Sequence, residues 1–295
     1  MPLIATSPAE LLPFALLLAA VLGLWIHRAV WIGALIASIA AAYYTGALEG
    51  LAVVPLGLLA IFAVRFRMAR TLPPSGRAIA LRTLFGIAIF VLTLAIALVI
   101  LPGFPRTTLT EAAPLTPGAL PYGMGLGFAK VAPAILILGI INTDRVRSWS
   151  ELFTALRRVI PVWMVTVALV IMLTMAMGYV RFEPKWTSLF LMWAVVNLFF
   201  TCLSEEAFFR GFLQHELARI GSNPTRAAIV AIGVSALLFG LAHFGGGWTY
   251  VIAGVIAGVG YGLAYHLTKR VEASMAVHFA LNATHFLLFT YPALA

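Results

Sequence analysis

Charge is what this 295-residue chain has least of: 10% of its residues are Asp, Glu, Lys or Arg, against 62% that are hydrophobic. With a mean hydropathy of +1.03, too little polar surface exists to cover a soluble domain of this size, so the sequence is that of an integral membrane protein. Cysteine is scarcer still. A single Cys202 excludes an intramolecular disulfide and any multi-cysteine zinc or iron–sulfur site. In an apolar segment such a residue is ordinarily a small packed hydrophobe. Aspartate also occurs once, as Asp144, which excludes a diaspartyl protease. No basic amino-terminal region precedes the first apolar run, so a cleaved secretory signal is not expected. No long polar stretch, internal repeat or low-complexity tract breaks the chain, and one membrane domain over residues 1–295 is expected.

What is present is a series of ten apolar runs, near 11–26, 29–44, 47–64, 83–101, 123–142, 160–180, 187–213, 227–243, 248–268 and 273–291. A span needs about 20 such residues to cross roughly 30 Å of hydrocarbon. The first three runs are short and poorly separated. The expectation is an all-α polytopic transmembrane helix bundle of about 8–10 spans, since lipid leaves backbone groups unpartnered and no segment alternates like a barrel strand.

The basic residues sort by connection. Alternate connections hold Arg28; the group Arg65 to Arg82; Arg145, Arg147, Arg157 and Arg158; Arg219 and Arg226; and Lys269 with Arg270. The opposite connections hold only Arg106, Arg181 and Lys185. The positive-inside rule places the first set in the cytoplasm and both termini outside it, and the Ala, Leu and Gly usage suggests a bacterial inner membrane. It also accounts for the formal charge of +9 without a nucleic-acid partner. Residues 102–122, rich in Pro and Gly, read as an external loop. Lys130, at the start of a run, is expected to snorkel.

The exception to the scarcity of charge is Ser-Glu-Glu-Ala-Phe-Phe-Arg-Gly-Phe at 204–212. Glu206 and Arg210 are four apart and share a helix face, so they are expected to pair. Glu205 points about 100° away and is left for something across the bundle. The plainer reading puts both acids at the interface, beyond a span ending near 203. Further on, His243 closes one run, and His278 and Asn282 lie four apart on another. A lone His in an apolar helix is more often a hydrogen-bonded core residue than a ligand. One Glu with two His, however, can hold Zn²⁺ or bind and activate water directly. His285 is read as interfacial or as a supporting donor; His27, His215 and His266, near span ends, as interfacial. Gly254, Gly258 and Gly262 let helices approach closely.

The order Glu-Glu-x-x-x-Arg (205–210), Phe-x-x-x-His (239–243) and His-x-x-x-Asn (278–282) resembles the CAAX prenyl endopeptidase and Abi family of intramembrane proteases, over residues 187–291. Residues 1–186 are then additional amino-terminal spans. The resemblance implies that Glu205 activates water, that His243 and His278 hold that water or a metal, that Asn282 is an oxyanion donor, and that Glu206 and Arg210 are supports. The cofactor expectation is none or zinc, the latter held by His243 and His278. The implied partners are the lipid bilayer and a membrane-anchored or secreted protein or peptide substrate of CAAX, sorting-tag or bacteriocin type. The cavity is expected to be wet from the cytoplasmic side. One conflict stands: His243 lies about 24 Å along its helix from the cytoplasmic end at 227, while Glu205 and His278 should lie nearer that end. A non-catalytic transporter or immunity protein using the same buried polar residues is the alternative. A His-Glu-x-x-His zinc protease is excluded, because Leu-Ala-Arg follows His215 and Glu216. A rhomboid-like serine protease and a bis-His haem protein both leave Glu205 unexplained.

Overall fold

The computed structural model describes residues 4, 7–142 and 144–295. Each of the ten apolar runs contains a helix: α1 (Pro8–Gly23), α2 (Arg28–Thr45), α3 (Gly50–Thr71, opening with a 3₁₀ turn), α4 (Gly76–Ala97), α5 (Phe128–Ile141), α6 (Trp149–Ala176), α7 (Phe190–Leu217), α8 (Pro224–Leu241), α9 (Gly247–Thr268) and α10 (Val271–Leu288). Several starts are written in the sequence. Ser7 and Glu10 form a capping box, Ser75 and Ser148 accept from backbone N–H groups three residues on, and Asn223 caps α8 just before Pro224. Each supplies an acceptor for an otherwise orphaned amide.

Seven helices are long and apolar enough to cross a membrane among the described residues, fewer than the ten runs. The difference is physical. Helices α1 and α5 are apolar but short, and α10 carries Glu272, His278, Asn282 and His285. The protein is an all-α polytopic bundle in which the polar helix is also the one bearing the candidate site.

The helices alternate between two ends. At the arginine-poor end, the connections 98–127 and 177–189 interlace with the carboxy-terminal residues. Two short strands, β1 (Thr107–Thr108) and β2 (Gly125–Leu126), pair antiparallel, and isolated bridges join Ala119 to Leu294 and Phe182 to Phe289. Glu183 ties these segments together by accepting from Thr116 Oγ1 at 2.8 Å and Thr290 Oγ1 at 3.1 Å. The stretch 102–122 is therefore a structured cap with buried Phe104, Leu109, Thr110 and Ala119. Proline and glycine mark its turns, but they do not reveal that its partners lie over 60 residues away. At the arginine-rich end, Glu151 pairs with Arg270, and Glu272 accepts from Trp25 Nε1 at 2.6 Å and from the Val146 amide at 2.9 Å.

The glycines of α9 do bring helices together. A Cβ on Gly258 would lie 2.9 Å from Ala236 Cα, and one on Gly254 would lie 3.0 Å from Gly240 Cα. The two backbones of α8 and α9 thus meet with no side chain between them. This contact seats Phe239 and His243 beside α7 and α10.

Candidate active site

Helix α7 is not uniform. Glu205 and Glu206 lie on a single α-helical turn, Leu203–Glu206, between π-helical stretches Asn197–Cys202 and Ala207–Gln214. Wide π turns disturb the usual carbonyl pairing and recur at functional sites. Here side chains partner several of those carbonyls: Ser204 Oγ donates to Phe200 O at 3.1 Å, Ser235 Oγ to Phe209 O at 3.0 Å, and Asn142 Nδ2 to Gly211 O at 2.9 Å. Backbone polarity deep in the bundle is thereby satisfied within the protein.

Glu206 and Arg210 pair as their spacing predicts, with Arg210 Nη1 3.1 Å from Glu206 Oε1 and both side chains 0% exposed. The same Oε1 lies 2.8 Å from His278 Nδ1. A carboxylate at Nδ1 takes the N–H of the ring and leaves Nε2 as the acceptor. Arg210 also donates from Nη2 to Gly258 O at 2.8 Å, and its guanidinium lies over Phe239 at 4.8 Å and Tyr261 at 5.2 Å. The His278 ring stacks on Tyr261, with centroids 4.4 Å apart and planes at 16°. Glu206 and Arg210 therefore form a dry assembly whose output is the orientation of His278.

Glu205 does reach across the bundle, and one partner was unexpected. Lys130 Nζ of α5 lies 2.9 Å from Glu205 Oε1, while Oε2 lies 4.0 Å from His278 Nε2. Lys130 does not simply snorkel: a carboxylate with no partner in its own helix answers an ammonium with none in its own. That complementarity of two isolated opposite charges was the signal in the sequence. The interfacial reading of both acids is corrected as well, since Glu206 is fully buried inside the bundle.

His243 follows α8, with Nδ1 2.7 Å from Phe239 O. A carbonyl only accepts, so Nδ1 carries the proton and Nε2 is free to accept. Phe239 stands between the two imidazoles, its centroid 4.6 Å from His243 and 5.7 Å from His278. Asn282 Nδ2 donates to Asn197 Oδ1 at 3.2 Å, and Cys202 Sγ lies 3.2 Å from the same oxygen. The Asn197 oxygen is thus used twice, whereas its Nδ2 makes no hydrogen bond among the described residues. Sequence reasoning missed Asn197, an amide in an apolar run eight residues before Glu205.

Glu205, His243, His278, Asn282 and Asn197 all line one cavity of about 380 Å³. Its other walls include Arg106, Tyr122, Tyr179, Tyr250 and Tyr291, so it extends toward the arginine-poor end. This corrects the expectation of a cavity wet from the arginine-rich end and removes the depth conflict at His243, which lies at the end the cavity faces. Burial pushes the Tyr122 and Tyr179 phenols up from their ordinary value, so both stay neutral at physiological pH and Arg106 supplies the charge of this rim. His285, read as interfacial or as a supporting donor, lines the cavity and holds Thr290 O at 3.1 Å. His215 sits near the arginine-rich end of α7, beside Arg70 and Arg219, with Nδ1 2.8 Å from the Tyr265 hydroxyl. A second cavity of about 160 Å³ reaches Glu205, His243 and Lys130 from the α4 side.

A zinc ion fits this arrangement poorly. No group of three or more His, Cys, Asp and Glu side chains able to hold a metal gathers among the described residues. The Lys130 ammonium also occupies Glu205 Oε1, where a cation would be repelled.

Residues 186–284 match the family model for the type II CAAX prenyl endopeptidase Rce1-like proteins. Neither a curated protein nor a solved structure matches the chain. The matched segment contains all three motifs but not Lys130, the cap or the amino-terminal helices. In its carboxy-terminal third, this integral membrane protein is similar to the type II CAAX prenyl endopeptidase Rce1-like family.

Proposed function

We propose that the chain is an intramembrane endopeptidase that hydrolyses a peptide bond of a membrane-associated protein or peptide, with Glu205 as general base. The observation that carries this reading is the relay Arg210–Glu206–His278 ending opposite Glu205 across 4.0 Å. That gap exceeds a direct hydrogen bond and suits a bridging water.

In the proposed reaction, the water points one O–H at Glu205 Oε2 and shares the other between the free Nε2 atoms of His278 and His243. Glu205 Oε2 takes its proton as the oxygen attacks the peptide carbonyl, and a C–O bond forms while the carbonyl becomes an oxyanion. Collapse breaks the C–N bond, and Glu205 returns the proton to the leaving amine. Lys130 occupies Glu205 Oε1, leaving Oε2 for the water. The oxyanion is received by Asn282 and by the uncommitted Nδ2 of Asn197, donors already fixed in place before the reaction. Glu206 and Arg210 position His278.

With the arginine-rich end in the cytoplasm, both termini lie outside and the cavity faces away from the cytoplasm. The substrate is then a membrane-anchored or secreted peptide presented at the outer face, and the membrane is a bacterial inner membrane. The test is cleavage of a peptide library by purified protein in proteoliposomes, read by mass spectrometry. Single-bond hydrolysis that Glu205→Gln abolishes supports the proposal. Substrate uptake without cleavage, lost in the same variant, supports the transport reading instead.

A further inference from the structure

A groove separate from the active site runs between α2, α3 and α5. It has a volume of about 620 Å³ and walls that are apolar along their length, including Leu35, Ile39, Leu56 and Leu136. From residue 53 to residue 67 of α3 it extends about 21 Å at 1.5 Å per residue, more than the roughly 15 Å of one leaflet. Trp31 lies on Gly139, where a Cβ would come 2.7 Å from the indole, and beside Gly57 nothing lies within 4 Å. The groove is thus deep at Gly139 and open at Gly57.

Its polar residues collect at one end. Arg28 starts α2 and Arg67 lies near the end of α3, both at the arginine-rich end. Neither side chain makes a hydrogen bond or ion pair among the described residues. Arg67 and Thr71 also line an adjoining recess with Arg70, Arg219 and His215, where Asp144 supplies the one carboxylate. Arg70 is engaged by Glu216 at 3.4 Å, but Arg219 makes no such pair among the described residues. An apolar trough ending in uncompensated guanidinium groups complements a molecule with a hydrocarbon chain and an anionic phosphate head. Arginine clusters between transmembrane helices recognise phospholipid head groups in this way.

We propose that the groove binds an anionic phospholipid, its phosphate at Arg28 and Arg67 and an acyl chain along α2 and α3. The site lies on the far side of α5 from Lys130 and does not depend on the catalytic reading. The test uses purified full-length protein in neutral detergent, titrated with phosphatidylglycerol, phosphatidylcholine or inorganic phosphate. Native mass spectrometry reads retention, and thermal unfolding reads the stability shift. Phosphatidylglycerol is expected to bind at least about tenfold more tightly than phosphatidylcholine, a difference of about 1.4 kcal/mol, and to raise Tm. The double variant Arg28→Gln/Arg67→Gln is expected to erase that preference, and Gly57→Phe, which fills the groove, to abolish retention. Both are compared with wild type in lipid-free detergent, so a folding defect in one leaves the other as the test. Equal retention of the two lipids, the same Tm shift from phosphate alone, or unchanged binding in a folded variant would overturn the proposal.

Discussion

Lys130 Nζ and Glu205 Oε1 lie 2.9 Å apart although 75 residues separate them in sequence. The pair joins α5, outside the Rce1-like segment, to the helix that carries both carboxylates. The amino-terminal part of the chain thus contributes a residue directly to the candidate site.

Lys130→Met is expected to lower kcat/KM by about tenfold, because Glu205 loses the partner that holds Oε1 and orients Oε2 toward the cavity. Lys130→Arg keeps the charge and should retain most activity. Steady-state cleavage by the two variants in parallel checks this; equal loss in both would point to packing.

Arg210→Met leaves Glu206 buried without its cation, and breaking such a pair from one side costs about 3–5 kcal/mol. The double variant Glu206→Met/Arg210→Met is expected to unfold at a higher temperature than Arg210→Met alone. Thermal unfolding in one detergent compares them. Neither variant should cleave, since His278 loses its orienting carboxylate or that carboxylate's partner.

Removing one oxyanion donor typically lowers kcat by about 10²–10³. Asn197→Ala and Asn282→Ala are each expected to fall toward that range with KM little changed. If only Asn282→Ala does so, Asn197 serves merely to hold Asn282.

The Glu183 carboxyl is held below its ordinary value of 4.5, first by the Thr116 hydroxyl and then by Arg181 and Thr290. A carboxylate with a lowered folded-state value contributes stability above its unfolded value and loses it as pH falls through the folded one. The Tm difference between wild type and Glu183→Gln should therefore be constant at neutral pH and shrink below about pH 4.5. A difference that grows on acidification would contradict this account of the cap.

Gly258→Val places a branched side chain where a Cβ already lies 2.9 Å from Ala236 Cα, and overpacking of this kind costs about 1–3 kcal/mol. Gly33→Ala, with nothing within 4 Å of its Cβ, should stay within about 1 kcal/mol of wild type. Unfolding temperatures distinguish the two sites.

Much of this was legible in the sequence because membrane insertion makes charge informative. Helices appeared as apolar runs, the two ends of the bundle as alternating arginine content, and the Glu206–Arg210 pair as a four-residue spacing. Pairings across the bundle were not legible. Lys130 and Glu205 each showed only that they lacked a local partner, and Asn197 was hidden among apolar neighbours. The π turns around Glu205 and Glu206 leave no trace in hydrophobic periodicity. The direction of the cavity was misread because depth was reckoned along straight helices, whereas residues of 102–122 fold inward to form one of its walls.

The most direct test of Glu205 as the base of a protease is a terminal-peptide proteomic comparison of native cells expressing wild type or Glu205→Gln at equal levels. The account predicts that one or a few membrane or secreted proteins lose a new terminus in the variant, with cleavage falling by about 10²–10⁴ as expected for removal of a general base. Unchanged termini alongside a changed phenotype would contradict it.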